Sequence, residues 1–73
     1  MQTITKTIRL SGGSAQSIED AVTTVLGRAA LTISDIHSFD IVKAGGTVDG
    51  SGVPADYTVT LDITFTVRES LPG

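Results

Sequence analysis

The clearest pattern of apolar and polar positions lies in the last third of the chain. From Tyr57 to Arg68, apolar and polar residues alternate without an exception, which is typical of a strand with one buried and one solvated face. The apolar positions are Tyr57, Val59, Leu61, Ile63, Phe65 and Val67, and the polar positions are Thr58, Thr60, Asp62, Thr64, Thr66 and Arg68. We predict a strand here, with Pro54 at its start and the preceding "DGSG" as a hairpin turn.

Two further segments have the pattern of strands. In "TITKTIRL" the residues alternate with a single exception, so a first strand is predicted, ended by the "SGGS" that follows it. The apolar members of this alternation are Ile4, Ile8 and Leu10. Another extended segment runs from Ile36 to Val48. It contains Gly45 and Gly46 in succession, which predicts a bulge or a bend at that point.

Between the first two strands, apolar residues recur at helical spacing. They are Ile18, Ala21, Val22, Val25, Leu26, Ala29 and Ile33. The spacing predicts an amphipathic helix from about residue 15 to residue 33, because these positions form one stripe. Ser14 or Ser17 can cap its start. Glu19 and Asp20 lie in the first turn, where negative charge is favoured.

These elements have the order β-α-β-β, and we predict one domain, residues 1–73, of which residues 69–73 are expected to be a loose tail. The fold class is α+β. If the first strand pairs with the last, the antiparallel sheet has the order 1-3-2 and the helix covers one of its faces. A helix of roughly 19 residues spans about 28 Å, whereas the last strand spans about 40 Å. Part of the apolar face therefore stays uncovered, and we expect other subunits to cover it.

The composition also indicates a subunit of an oligomer. A chain of 73 residues is near the lower size limit for a self-sufficient core, and disulfides, metal sites or partner subunits usually support such a chain. There is no cysteine and only one histidine, which argues against disulfides and zinc sites. Hydrophobic residues make up 40% and charged residues 18%, against about 25% charged in an average domain. Association is the remaining support.

The charge pattern excludes some partners. The formal net charge is -3, and the five cationic residues are scattered, whereas nucleic-acid binding depends on clustered Lys and Arg. No stretch approaches the roughly 20 apolar residues of a membrane span. The N-terminal "MQTITKTIRL" lacks the apolar core of a signal peptide. We therefore expect no nucleic-acid or membrane partner and a cytoplasmic location.

Three stretches contain residue types that can carry chemistry, and each has a plainer explanation. His37 could act as a base or ligand, but nothing places a nucleophile beside it, so a surface histidine is favoured. "SGGSAQS" lacks the Gly-Lys-Ser/Thr ending of a phosphate loop, which favours a turn and helix cap. Asp49 and Asp56 suggest calcium, but the EF-hand spacing and its closing glutamate are absent, which favours a solvated hairpin turn.

Threonine occupies nearly every polar position of the predicted last strand. Strand propensity together with solubility explains this. A second explanation is that the face lines the solvent-filled interior of an oligomer. The pattern by itself leaves both open.

Taken together, the motifs resemble those of one family. The β-α-β-β order, the length, "GGS" before the helix, "LGRAALTI" late in it, "FDIV" in the second strand and "VDG" at the hairpin resemble the dodecins, over roughly residues 4 to 68. The resemblance implies a hollow shell of twelve identical subunits, with helices outside and sheets lining the interior. It also implies a protein that stores riboflavin or flavin mononucleotide (FMN), with the flavins stacked in pairs between aromatic rings. Some dodecins have been associated with coenzyme A or metal ions.

The resemblance also assigns site positions. Ser38 falls where flavin-binding dodecins have a stacking tryptophan, and Thr58 falls where they have a glutamine that bonds the flavin ring. Gly45 replaces the arginine of an Arg-Gly pair, and Lys43 is a further position that would meet the ligand. Phe39, Asp40 and Arg28 match the family pattern. We expect a non-catalytic storage shell for flavin that lacks the tryptophan and the glutamine; the alternatives are a structural shell without flavin, or one that binds a metal ion or another small ligand.

Overall fold

The computed structural model of the protein describes residues 4–67. Its elements are β1 (Ile4–Ser14), α1 (Ile18–Ala29), β2 (Ile36–Val48) and β3 (Pro54–Val67). The strands form one sheet in the order β1-β3-β2, and β3 is antiparallel to both neighbours. The predicted α+β class, element order and strand order are confirmed. Arg68 and the predicted tail at residues 69–73 lie outside the described residues.

The first strand is longer than the sequence predicts. Instead of ending at "SGGS", β1 continues to Ser14, with Gly12 paired to Val59 and Gly13 paired to Thr58. The prediction was wrong because glycine also occurs where two backbones or elements approach closely. A Cβ atom on Gly12 would lie 2.5 Å from Cγ2 of Val25 on the helix. The missing side chain at Gly12 therefore lets α1 lie directly on β1.

The helix is shorter than predicted, because its last apolar position lies beyond its end. Ser17 is the N-cap, and its Oγ accepts a hydrogen bond from the backbone N–H of Asp20 at 2.9 Å. After Ala29 the chain turns, and the N–H of Ile33 donates to the carbonyl of Ala29 at 2.9 Å. Ile33 is nevertheless packed against the core. Ile33 continues the apolar stripe of the helix although it lies in the turn that follows. The spacing of apolar residues alone could not distinguish this turn from a further turn of helix.

The core lies between one helix face and two of the three strands. Its buried members are Ala21, Val25, Ala29, Val59, Leu61 and Ile63. The small helix residues let α1 pack closely on β1 and β3. On β2, by contrast, Phe39 is 43% exposed and Ile41 is 50% exposed. Part of the apolar sheet face is therefore uncovered, as the sequence predicted.

The hairpin between β2 and β3 is closed by one carboxylate. Oδ1 of Asp49 accepts hydrogen bonds from the backbone N–H groups of Ser51 at 2.8 Å and Val53 at 3.1 Å. Gly52 has φ 78°, a left-handed conformation that glycine adopts without strain. The turn at "DGSG" is confirmed. Asp49 is engaged by its own turn, which agrees with the plainer explanation of this stretch.

The bulges of β2 do not lie at the glycines. Gly45 and Gly46 are in regular pairs with Thr58 and Tyr57, so the bulge predicted there was wrong. The register shifts instead between Ile36 and Ser38, between Ile41 and Lys43, and between Thr47 and Val48. The first two shifts leave His37 and Val42 as extra residues on β2. A Cβ atom on Gly46 would overlap the carbonyl oxygen of Asp56, so Gly46 serves close pairing and not a bend.

Candidate functional site

The sheet face that points away from the helix carries hydroxyl groups along its length. We call it the polar face; it consists of the polar alternate residues of β1 and β3 and the residues of β2 that pair with them. Across β1 and β3, the hydroxyls of Thr7 and Thr64 are 2.9 Å apart, and those of Ser11 and Thr60 are 3.4 Å apart. These hydroxyls bond one another and stay accessible, so the face can donate to and accept from a polar ligand.

An ion pair crosses the centre of the polar face. The guanidinium of Arg9 donates to both carboxylate oxygens of Asp62, at 2.8 and 3.1 Å. On the other side of β3, Asp40 is the register partner of Asp62. The hydrogen bonds from Arg9 lower the pKa of Asp62, and the same bonds raise the pKa of Arg9. The pair lies in solvent, since the side chain of Arg9 is 62% exposed.

The Arg9–Asp62 pair predicts a pH dependence of stability. Because the pKa of folded Asp62 lies below its ordinary value of 3.8, the pair stabilises the fold above that value and is lost as the pH falls through the folded pKa. We expect Arg9→Met to lower the free energy of unfolding at pH 7, with the difference from the parent chain shrinking below pH 3.8. Urea denaturation at pH 7, 4 and 2.5 measures this; a difference that stays constant over the series contradicts it. Asp62→Asn is the control, because it removes the titrating group.

Two bulges place the candidate ligand residues of β2 on the polar face. With strict alternation, Ser38 would share a face with Ile36, and Lys43 would share a face with Ile41. The extra residues His37 and Val42 reverse the alternation, so that Ser38 pairs with Thr64 and Lys43 pairs with Thr60. A bulge commonly redirects a side chain in this way.

The sequence contains a signal for these bulges that residue-by-residue reasoning missed. Along β2 the apolar positions change from even to odd numbers and back again. Apart from Val42, which is itself an extra residue, they are Ile36, then Phe39 and Ile41, then Ala44 and Val48. Each change of parity marks an extra residue.

All four predicted site residues lie on the polar face, but not side by side. Gly45 pairs with Thr58, and Lys43 pairs with Thr60, in the next row of the same face. Ser38 pairs with Thr64, which is six residues from Thr58 along β3, or about 20 Å at 3.3 Å per residue. One chain therefore brings Lys43, Gly45 and Thr58 together and keeps Ser38 apart. A ligand that touches all four positions needs residues from more than one chain.

The other candidate groups of the sequence do not form a site within the described chain. His37 is an exposed bulge residue. Among residues 4–67, the carboxylate of Asp56 accepts one long side-chain hydrogen bond, from the hydroxyl of Thr47 at 3.4 Å. Residues 4–67 contain no group of three or more His, Cys, Asp or Glu side chains placed to hold a metal ion. Sequence reasoning did not predict the pairing of Arg9 with Asp62, because that depends on the register of β1 against β3.

An apolar cleft lies at the hairpin end of the sheet. It has a volume of about 270 Å³, and its lining includes Ile18 from the helix start and Val48, Pro54 and Tyr57 from the hairpin. Among the predicted site residues only Gly45 borders it. Ser38, Lys43 and Thr58 therefore belong to the open polar face and not to this cleft, and Gly45 lies between the two. No helix among the described residues has the length and apolarity needed to cross a membrane.

The fold and the polar face define a class of small proteins: one helix on one side of a three-stranded antiparallel sheet, with a hydroxyl-rich face on the other side. Comparison with known proteins identifies the family. The chain matches the dodecin family over residues 4–68, and it belongs to that family. It is 30% identical to the dodecin of Thermus thermophilus over 70 residues, which cover 96% of this chain and 100% of the relative.

Solved structures agree with this assignment. A crystal structure of a Thermus thermophilus dodecin variant, in which a tryptophan is replaced by phenylalanine, has a TM-score of 0.84 at 29% identity and covers 93% of this chain and 100% of its own. The crystal structure of a calcium dodecin from Mycobacterium tuberculosis, described as having a novel calcium-binding site, has a TM-score of 0.76 at 28% identity. That comparison covers 96% of this chain and 99% of the other. In contrast to the Thermus protein, this chain has no tryptophan.

Proposed function

We propose that this protein is a non-catalytic binding protein that assembles into a cytoplasmic shell of twelve copies and holds a flavin, FMN or riboflavin, against its polar faces. The family supports the ligand class and the assembly. The helix and the uncovered apolar part of the sheet bear the contacts between copies. The polar faces bear the ligand.

The observation that carries the proposal is the placement of the four predicted ligand positions. Ser38, Lys43, Gly45 and Thr58 all lie on the polar face, although two bulges are needed to put Ser38 and Lys43 there. Because Ser38 is about 20 Å from Thr58 along the sheet, a ligand between copies can meet residues that a single chain keeps apart. This supports binding at a contact between subunits.

The polar face also indicates how the ligand is held. Between residues 4 and 67 it offers hydroxyls, the Arg9–Asp62 ion pair, the ammonium of Lys43 and the carboxylate of Asp40, but no aromatic ring. Ring stacking contributes about 0.5 to 1.5 kcal/mol beyond area burial, so binding without it is weaker than in a member with tryptophan at this position. We propose a weak flavin site that depends on hydrogen bonds.

The alternatives are a shell without flavin and a shell that holds a metal ion or another small ligand. The calcium dodecin of Mycobacterium tuberculosis makes a cation the natural comparison. Within the described residues no cluster of candidate metal ligands lies in a single chain. The flavin proposal is the better supported of the two binding functions, because it follows from a family match over residues 4–68, whereas the calcium alternative rests on one relative.

Two measurements test the proposal. Native mass spectrometry should give a particle of twelve chains of 7.5 kDa, and a stable monomer or dimer at micromolar concentration contradicts the assembly. Titration of the assembled protein with FMN and riboflavin, followed by flavin fluorescence, should show saturable quenching. An intact shell that leaves both flavins unquenched favours the structural shell, and a parallel calcium titration then tests the cation alternative.

A further inference from the structure

We infer that Lys43 is the anion-binding group of the polar face and that the site favours a ligand bearing a phosphate monoester over the same ligand without it. The inference deepens the proposed function and rests on it for the flavin part only.

The charge of Lys43 is not engaged within the chain. Arg9, the other cation of the polar face among residues 4–67, is held by two hydrogen bonds to Asp62. Lys43 has no hydrogen bond or ion pair to any described residue, and it is exposed. An ammonium without an acidic partner can accept an incoming anion without first breaking an ion pair.

The strand is built so that this ammonium lies on the polar face. Without the bulge at Val42, Lys43 would lie on the same side of the sheet as Ile41, which is the apolar side that faces the helix. The bulge places it opposite Thr60 instead. Bulges concentrate next to functional sites, where they redirect a side chain. The bulge at Val42 fits this pattern, because it turns the ammonium of Lys43 toward the face where we place the anion.

The neighbours of Lys43 complete a small anion site. In its own row, Thr60 and Ser11 present hydroxyls 3.4 Å apart, which can donate to phosphate oxygens. In the next row, Gly13, Thr58 and Gly45 pair across the sheet, and no atom lies within 4 Å of a Cβ position on Gly45. The surface of the sheet beside Lys43 therefore has no side chains at Gly13 and Gly45 and has room for a phosphate group.

Charge on the rest of the face limits where an anion can sit. Asp40 and Asp62 occupy the central row on the far side of Lys43 from Gly45, and Asp62 is offset by Arg9. The remaining charge of Asp40 repels an anion from the centre. The phosphate therefore has one favourable place, between Lys43 and the open row at Gly45. A lysine ammonium binds phosphate as a point charge, which suits an exposed site of this kind.

The first test uses inorganic phosphate alone and does not depend on flavin binding. Phosphorus NMR of inorganic phosphate with the assembled protein should show line broadening that saturates and that Lys43→Met removes. Lys6→Met is the matched control, because Lys6 is an exposed lysine of β1 that pairs with Phe65 on the opposite side of the sheet. Equal broadening by the parent and Lys43→Met, or none by either, overturns the inference.

The second test separates the inference from the proposed function. The parent should bind FMN about tenfold more tightly than riboflavin, as expected for one charge-assisted contact, and the ratio should fall to about one in Lys43→Met and stay unchanged in Lys6→Met. Equal binding of the two flavins by the parent overturns the inference and leaves the flavin function standing. If neither flavin binds while phosphate broadening still depends on Lys43, the anion site is supported and the flavin function is wrong.

Discussion

We expect Ser38→Trp to bind FMN about 10- to 100-fold more tightly than the parent chain. An indole at position 38 would project from the polar face beside Thr64, where Ser38 is exposed and leaves room for a ring. Stacking on each indole contributes about 0.5 to 1.5 kcal/mol beyond area burial, so two rings at a paired site contribute about 1 to 3 kcal/mol. Fluorescence titration with FMN measures the change in the dissociation constant.

The control for this experiment is Ser34→Trp. Ser34 is also exposed, but it lies in the loop before β2 and not on the sheet. It adds the same fluorophore without a stacking platform, so its affinity for FMN should equal that of the parent. If both tryptophan variants bind FMN as the parent does, position 38 is not part of the flavin site.

The second large effect is on stability and concerns two adjacent glycines. We expect Gly46→Ala to destabilise the protein by about 2 to 3 kcal/mol, because the new Cβ would overlap the carbonyl oxygen of Asp56 on the paired strand. The carbonyl oxygen of Asp56 is a backbone atom and cannot move away without disturbing the pairing of β2 with β3. For a domain of this size the melting temperature should fall by more than about 8 °C.

Gly45→Ala is the matched control for Gly46→Ala. No atom lies within 4 Å of its Cβ position, so alanine there should be neutral or stabilising by up to about 1 kcal/mol through a less flexible unfolded chain. Thermal denaturation at one chain concentration compares the two variants, since subunit association makes the melting temperature depend on concentration. Similar losses in both variants would show that Gly46 is not required for the close strand approach.

Two of the predicted substitutions test different parts of the polar face. Ser38→Trp tests whether the flavin ring binds beside position 38. Lys43→Met tests whether the phosphate group binds beside Lys43, in a different row of the face. Since these residues lie in rows about 13 Å apart along β3, the two effects should be additive for separate contacts. A ligand that responds to one substitution and not to the other shows which end of the face it occupies.

Some of the structure could be predicted because it depends on local periodicity. The alternation from Tyr57 onward and the helical stripe around Ala21 and Val25 each reflect one face that must be buried, and they led to the correct element order. For the candidate site, the sequence names residue positions, and these stay predictions. The sequence does not show whether Ser38 and Lys43 share a face, because an extra residue at His37 or Val42 changes the side of everything that follows it.

Glycine shows most clearly why local reasoning was insufficient. The same residue type ends strands, forms bulges and permits close approach, so the sequence predicts a strand end at "SGGS" and a bulge or bend at Gly45-Gly46. In the structure Gly12 accommodates Val25 of the helix, and Gly46 accommodates the carbonyl of Asp56. Both neighbours are distant in sequence, and only the packed chain defines them.

The sequence by itself therefore determined the family, the α+β class, the three strands and the uncovered apolar face, because burial of one face leaves a period in the chain. Only the tertiary structure decided which side of the sheet Ser38 and Lys43 occupy, that Arg9 is held by Asp62, and that Ser38 lies far from Thr58. The physical reason is that all three depend on strand register. Register is set by pairing between residues that are distant in sequence, and two extra residues in β2 are enough to change it.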